Sequence, residues 1–272
     1  MPTVSDRGVE LWYQESGSGQ PLVVSGGFGL LHNQFDFIRD ELASHFRVID
    51  WNYRGAGQSD RAWPGKLYNQ DTWVDDLEFI LNELALENVI MWGTSTGSPI
   101  TLRYTARYQH RVKAMITYPM FKADAGFRAA FQYFSGVCET FGYDALACLT
   151  SWIGCAEENI FQPYQGEMAK WEAECFARNF SIDTIAETMD IVATNDFSSD
   201  LDRITVPTLL LMGESGQLGY NSPGTRALAD EFMSRVKHAE LKTIPAGGGT
   251  YCMIEKPAET AAAILEFIEQ LD

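Results

Sequence analysis

A serine between two glycines is the strongest candidate for chemistry in this sequence, in the run Gly93-Thr94-Ser95-Thr96-Gly97. An apolar run precedes it and a helical pattern follows it, which predicts a strand, a sharp turn that carries Ser95, and a helix. So strained a turn requires neighbours without bulky side chains, and Gly93 and Gly97 meet that requirement. The helix would direct its free N–H groups towards an oxyanion beside Ser95, which suits acyl or enolate chemistry.

A glycine-rich loop, Ser25-Gly26-Gly27-Phe28-Gly29, follows an apolar strand pattern at residues 22–24. It departs from the dinucleotide-binding fingerprint, because His32 stands where the third glycine would be. We expect a backbone N–H of Gly27 or Phe28 to face the serine turn instead, since glycines permit two backbones to approach closely. Together with the N–H of Thr96, it would form an oxyanion hole.

Activation of Ser95 as a nucleophile requires a proton acceptor, and four residues are considered for that role: His32, Glu214, Tyr118 and Tyr251. His32 lies just past the glycine loop and could reach the site; its alternative interpretation is a helix-start residue that faces solvent. Glu214 follows a predicted strand, where the sites of open α/β sheets gather, and its alternative interpretation is a loop carboxylate in water. Tyr118 and Tyr251 are poor bases at neutral pH, so we assign them to substrate binding.

The elements that must position these residues alternate between strand and helix patterns up to residue 118, and strands resume at Val206. This order predicts a mostly parallel central sheet with helices on both faces. Between residues 119 and 203 the pattern changes to helices dense in aromatic residues. We therefore expect an α/β core formed by 1–118 and 204–272, with a helical lid inserted at 119–203. Phe131 and Phe134 lie in an aromatic stripe that packs helix on helix or roofs the serine, and we assign both to substrate binding.

These segments together resemble the α/β-hydrolase superfamily along nearly the whole chain. The matching segments are the Ser95 turn, the loop from Gly26 to Gly29, the Arg54 to Asp60 segment, the strand from Pro207 to Gly213, and Glu255-Lys256-Pro257. The resemblance implies an α/β-hydrolase fold with a nucleophile elbow, an oxyanion hole and a helical lid.

The sequence departs from the family pattern at two positions of the catalytic triad. The family's acid usually lies three residues beyond the glycine that ends the Pro207 strand, where this chain has Gly216. The family's histidine usually precedes the E-x-P signature by five residues, where this chain has Thr250. The resemblance thus implies a degenerate triad, and we assign Thr250 to substrate binding. Removing a triad member typically costs about ten-thousandfold or more in turnover.

The retained oxyanion hole and the two replaced triad positions predict a cofactor-independent enzyme that acts on a small carbonyl-bearing molecule, such as an ester or lactone. Our first hypothesis is a non-hydrolytic reaction, namely elimination by a lyase, isomerisation or cyclisation, because an oxyanion hole also stabilises an enolate. The chain looks like divergent superfamily members of natural-product pathways. The second hypothesis is a serine esterase, lactonase or thioesterase with His32 as a relocated base. The third is a non-catalytic binding protein.

Composition narrows the classes of partner. A chain of 272 residues that is 46% hydrophobic can bury a large core. Its net charge of −17 repels phosphate backbones and anionic membrane surfaces, so we expect neither nucleic acid nor membrane as partner. The five cysteines show no C-x-x-C spacing and there is no H-E-x-x-H motif, which argues against a metal and for reduced thiols in a cytoplasmic protein. No cofactor is expected, and no pattern indicates the oligomeric state.

Overall fold

The computed structural model describes residues 2–6, 8–61, 69–123, 125–156 and 163–271, except for the side chains of 125–127, 130–132 and 163–166. The strands are β1 Thr3–Asp6, β2 Val9–Gly17, β3 Gln20–Ser25, β4 Phe46–Trp51, β5 Val89–Gly93, β6 Val112–Thr117, β7 Thr208–Ser215 and β8 Ala239–Gly248. Over these described ranges they form one eight-stranded sheet in the order β1-β2-β4-β3-β5-β6-β7-β8. The pairings of β1 with β2 and of β2 with β4 are antiparallel, and the remaining pairings are parallel.

The helices before the insertion are α1 Arg39–Ala43, α2 Gln70–Glu83 and α3 Gly97–Tyr108, with short 3-10 turns at Leu31–Phe35 and Gln109–Arg111. Those between β6 and β7 are α4 Ala125–Phe141, α5 Tyr143–Gly154, α6 Pro163–Asn179, α7 Ile182–Ala193 and α8 Ser198–Leu201. The last three are α9 Pro223–Arg235, α10 Cys252–Glu255 and α11 Pro257–Glu269.

The central strand β5 leads to the predicted serine turn and is buried along its whole length. Val89, Ile90 and Met91 are fully buried, as expected for a parallel strand that is covered on both faces. The carboxyl ends of the parallel strands share one edge of the sheet, and the loops after β3, β5, β7 and β8 extend from that edge. This edge is where the candidate site is built.

The predicted fold class is confirmed: the sheet is mostly parallel, helices cover it, and a helical segment separates β6 from β7. Within the described part of residues 119–203, strand-type pairing is limited to one isolated bridge between Lys122 and Asp196. The division into a core and a lid with limits at 119 and 203 stays a prediction.

Candidate active site

Ser95 stands on a sharp turn between β5 and α3 with its backbone in the left-handed region, at a φ of 50°. The flanking glycines are required by close packing. A Cβ on Gly93 would lie 2.5 Å from Thr101 Oγ1, and a Cβ on Gly97 would clash with the carbonyl oxygen of Ser25. The strand, turn and helix predicted from the sequence are therefore present, for the steric reason that the glycine spacing indicates.

The glycine-rich loop after β3 packs directly against this turn. The N–H of Thr94 donates to the carbonyl oxygen of Ser25 at 3.1 Å. A Cβ placed on Gly27 would lie 2.8 Å from Ser95 Cβ and 3.2 Å from Ser95 Oγ, so the loop leaves no space for a side chain there. Within the described ranges, the N–H groups of Phe28 and Thr96 have no hydrogen-bond acceptor. They are therefore free to donate to a ligand oxygen.

The N–H of Gly27, in contrast, is occupied by a residue that the sequence analysis missed. It donates to Gln34 Oε1 at 2.7 Å, and Gln34 Nε2 donates to the carbonyl oxygen of Thr250 at 2.7 Å. The Gln34 side chain is 2% exposed. A single buried amide thus joins the glycine loop to the position where the family places its histidine. The available signal was an amide side chain on a short turn between the apolar residues Leu31 and Phe35.

The two replaced triad positions offer no base. Gly216 lies after β7 with a φ of 79°, and a Cβ there would clash with the carbonyl oxygen of Cys155. Thr250 is 3% exposed and contributes its carbonyl oxygen to Gln34. In the part of the chain that the structure describes, Ser95 Oγ has no hydrogen-bond partner at all.

The structure does not bring His32 to Ser95. The His32 ring packs on Trp12 at 4.5 Å between centroids, and Nδ1 lies 3.0 Å from the Asn52 side-chain amide. Burial lowers the pKa of His32, although Asn52 and Asp50 act in the opposite direction. His32 is therefore a buried residue, neither the solvent-facing helix start nor a hydrogen-bond partner of the serine within the described ranges.

Glu214 likewise makes no hydrogen bond to Ser95 within the described ranges. Its Oε1 accepts a hydrogen bond of 2.8 Å from Thr243 Oγ1 on β8. It borders a polar cavity of about 300 Å³ at the start of α9, lined by Glu214, Ser215, Gly216, Gln217, Asn221, Ser222 and Pro223. Ser95 does not line this cavity. The structure therefore places the Glu214 carboxylate in a separate, partly open cavity.

Both tyrosines assigned to substrate binding use their hydroxyl groups within the protein. Tyr118 Oη donates to the carbonyl oxygen of Leu218 at 2.8 Å, and burial raises its pKa. Tyr251 Oη donates to the carboxylate of Glu172, which is fully buried on α6. Ser151 also donates to Glu172, as does Thr150 at 3.3 Å. Despite these three donors, burial raises the pKa of Glu172 to about 7.

Aromatic residues of the insertion cover the glycine loop. The Phe28 ring lies 6.4 Å from Phe134, 5.1 Å from Phe176 and 5.1 Å from Phe180 between centroids. All four rings are buried, so the wall beside the free N–H groups is apolar. Phe134 thus contacts the glycine loop, and its role in substrate binding stays a prediction. The side chain of Phe131 lies outside the described residues.

Within the described ranges, the chain has no helix with the length and apolar character to span a bilayer. Those ranges also have no group of three His, Cys, Asp or Glu side chains placed to hold a metal ion.

Comparisons with known proteins agree with this geometry. The family model described as alpha/beta hydrolase fold matches residues 21–154, which include the glycine loop and the Ser95 turn. The chain has the fold of the α/β-hydrolase superfamily. It is 27% identical over 271 residues to the AB hydrolase superfamily protein YisY of Bacillus subtilis, with 97% of each chain covered.

Further similarities of this chain are to proteins named as enzymes. It is 28% identical over 250 residues to a putative non-heme chloroperoxidase of Synechocystis, with 88% of each chain covered. In fold, it is similar to a thermophilic esterase from Thermogutta terrifontis, with a TM-score of 0.81, 22% identity, and 99% and 97% of the two chains covered. The relatives favour activity of the hydrolase type and give no support to the non-hydrolytic reaction predicted from the sequence.

Proposed function

We propose that this α/β hydrolase is an enzyme that binds a small, mostly apolar carbonyl compound beside Ser95 and polarises its C=O group without converting Ser95 into a nucleophile. One observation carries the proposal. Ser95 keeps its strained turn and the free Thr96 N–H beside it, yet no proton acceptor within the described residues contacts its hydroxyl. The hydroxyl then serves as a hydrogen-bond donor to the substrate.

The reactions that fit are those in which a carbonyl oxygen gains negative charge. When a proton leaves the carbon beside a carbonyl group for water, the C–H electron pair moves to form an enolate, and its charge settles on the carbonyl oxygen. We assign the stabilisation of that charge to the N–H groups of Thr96 and Phe28, which have no acceptor within the described ranges. Isomerisation, cyclisation and elimination by a lyase pass through such a species, and none of them needs a serine alkoxide.

The apolar wall supports the proposed substrate class. Phe28, Phe134, Phe176 and Phe180 exclude water from one side of the donors. Hydrogen bonds to a developing oxyanion are stronger in such a poorly hydrated site than in water. In a substrate with a compact apolar body and one reacting carbonyl group, the body would pack on the phenylalanine rings and the carbonyl oxygen would accept from the N–H groups.

Hydrolysis of an ester or lactone by Ser95 is the second candidate, because the similar proteins include an esterase and a chloroperoxidase. It would need a base that approaches Ser95 only with substrate bound. Without one, loss of the triad base would slow acylation by about ten-thousandfold.

One experiment separates the two candidates. Wild type, Ser95→Ala and the control Ser234→Ala, an exposed serine of α9, would be mixed with phenylacetone in D₂O, and exchange of the protons beside the carbonyl followed by NMR. We expect faster exchange with wild type than with buffer, and about tenfold slower exchange with Ser95→Ala because one hydrogen bond is lost. In parallel, mass spectrometry would follow a fluorophosphonate probe. Stoichiometric labelling of Ser95, with hydrolysis of p-nitrophenyl butyrate, would establish the second candidate and reject the first. If neither proton exchange nor labelling of Ser95 is observed, both candidates are rejected and a non-catalytic binding protein remains.

A further inference from the structure

The buried amide of Gln34 has a position that the proposed function does not explain. It lies on the 3-10 turn that follows the glycine loop, and its two hydrogen bonds join Gly27 to Thr250. The point where a Gly27 Cβ would stand lies 2.9 Å from Gln34 Oε1 and 3.2 Å from Ser95 Oγ. The amide oxygen and the serine hydroxyl therefore both lie close to Gly27, and the amide oxygen holds the Gly27 N–H.

We propose that Gln34 is an internal competitor for the carbonyl-binding site, and that only an oxygen with negative charge displaces it from the Gly27 N–H. The ligand class is thus carboxylates and enolates, with ketones and esters bound by the other donors alone. This inference rests on the proposed function, because it assumes that ligand oxygens bind beside Ser95.

The competition follows from the strengths of the acceptors. An amide oxygen is a better hydrogen-bond acceptor than the oxygen of a ketone or an ester, so a neutral substrate gains nothing by replacing Gln34. Displacement would also leave the buried Gln34 oxygen without its donor. A carboxylate or enolate forms charge-assisted bonds that are about twice as strong, and it can compensate for that loss. The Gly27 N–H would then exchange its acceptor, from Gln34 to the substrate oxygen, only as negative charge develops on that oxygen.

The glycine sequence provides a direct probe of the Gly27 N–H. Of the 23 glycines, only Gly27, Gly248 and Gly249 follow another glycine. Protein labelled with [¹³C-carbonyl, ¹⁵N]glycine therefore gives three signals in a spectrum that selects an amide nitrogen bonded to a labelled carbonyl carbon. Gly248 donates to Glu255 and serves as the internal reference. Gly249 donates to Ser215 but directly precedes Thr250, so its signal reports on the other hydrogen bond of Gln34.

The test compares two ligands of the same shape, phenylacetate and phenylacetone, on wild type and on Gln34→Ala. In wild type we expect phenylacetate to shift the Gly27 signal and phenylacetone to leave it in place. In Gln34→Ala both ligands should shift it, and phenylacetate should bind about tenfold more tightly, the factor for one neutral hydrogen bond. Gln34→Glu should do the opposite, because its carboxylate holds the Gly27 N–H more firmly and repels phenylacetate.

Asn33→Ala is the matched control, a buried amide of the same turn that bonds to Asp36 rather than to Gly27. It should behave as wild type. Two results would overturn the role of Gln34 and leave the proposed function standing. The first is a shift of the Gly27 signal by phenylacetone in wild type, and the second is binding of phenylacetate without a shift of that signal. If neither ligand binds to any variant, the carbonyl site itself is refuted.

Discussion

Gly27 is the position of the glycine loop where an added Cβ would meet Ser95. In Gly27→Ala the added methyl group would lie 2.8 Å from Ser95 Cβ and 2.9 Å from Gln34 Oε1. Both are closer than packed atoms tolerate, so the loop must shift away from the Ser95 turn. We expect a loss of about 1–3 kcal/mol in the free energy of unfolding, measured by urea denaturation, together with loss of phenylacetate binding.

Gly136→Ala is the matched control for that substitution. Gly136 lies inside α4, where an added Cβ meets no atom within 4 Å. Alanine should stabilise this helix by about 0.5–1 kcal/mol, since it has less backbone entropy to lose on folding. Equal effects of the two substitutions would mean that the Gly27 loop relaxes freely and that its close approach to Ser95 is not required.

The backbone of Ser95 gives a second prediction at this scale. A residue with a side chain held at a φ of 50° is strained, and glycine adopts this conformation without strain. Ser95→Gly should therefore be more stable than Ser95→Ala by about 1 kcal/mol, with Tm higher by about 2–4 °C. Differential scanning calorimetry would measure it. A lower Tm for the glycine variant would show that the turn carries no strain.

The placement of a single residue can be predicted from the sequence only where steric limits act between residues a few positions apart. The spacing of Gly93 and Gly97 around Ser95 is a local pattern, and the turn follows from it. Gln34 and Thr250 are 216 positions apart, so no local pattern indicates that they meet. His32 shows the same limit, because its contact with Trp12 depends on the pairing of distant strands.

Among the elements, α6 joins the insertion to the core. Glu172 binds Tyr251 after β8, Phe176 packs on Phe28, and Asn179 Nδ2 donates to the carbonyl oxygen of Gly29 at 2.9 Å. The helical content and the aromatic residues of this region were predictable from composition and spacing. The buried acid was not singled out, although Glu172 lies at helical spacing from the buried Met168, Cys175 and Phe176.

Glu172 makes the stability of this junction depend on pH. Its pKa is about 7 in the folded protein against an ordinary value of 4.5. Between these values the folded state holds a proton that the unfolded state has released, so the free energy of unfolding falls as pH rises and levels off above pH 7. Glu172→Gln lacks this dependence. The free energy of unfolding of Glu172→Gln, relative to that of wild type, should therefore increase by about 2 kcal/mol between pH 5 and pH 8.

Urea denaturation at pH 5, 6, 7 and 8 would measure that gain. Glu174→Gln is the control, because Glu174 is an exposed acid two positions along the same helix. Its difference from wild type should be the same at every pH. If the Glu172→Gln difference is also constant, the Glu172 carboxyl titrates alike in both states, and its burial is compensated by the Ser151, Thr150 and Tyr251 hydroxyl groups.

At the scale of the whole molecule, 37 acidic residues against 20 basic ones leave a net charge of −17. Several basic residues are already paired within the described ranges, such as Arg103 with Asp200 at 2.6 Å and Arg107 with Asp71 at 2.5 Å. The carboxylates in excess of the basic residues therefore repel one another across the surface. This self-repulsion disfavours the compact state, and salt screens it.

We therefore expect Tm to rise when NaCl is increased from 10 to 150 mM. The Debye length falls from about 30 Å to about 8 Å over this range, so repulsion between distant carboxylates is screened more than attraction within short, partly buried ion pairs. Choline chloride should give the same rise, because screening does not depend on which monovalent cation supplies it. A rise with sodium alone would instead indicate specific cation binding. A fall in both salts would mean that the arginine–aspartate pairs contribute more to stability than the net charge removes.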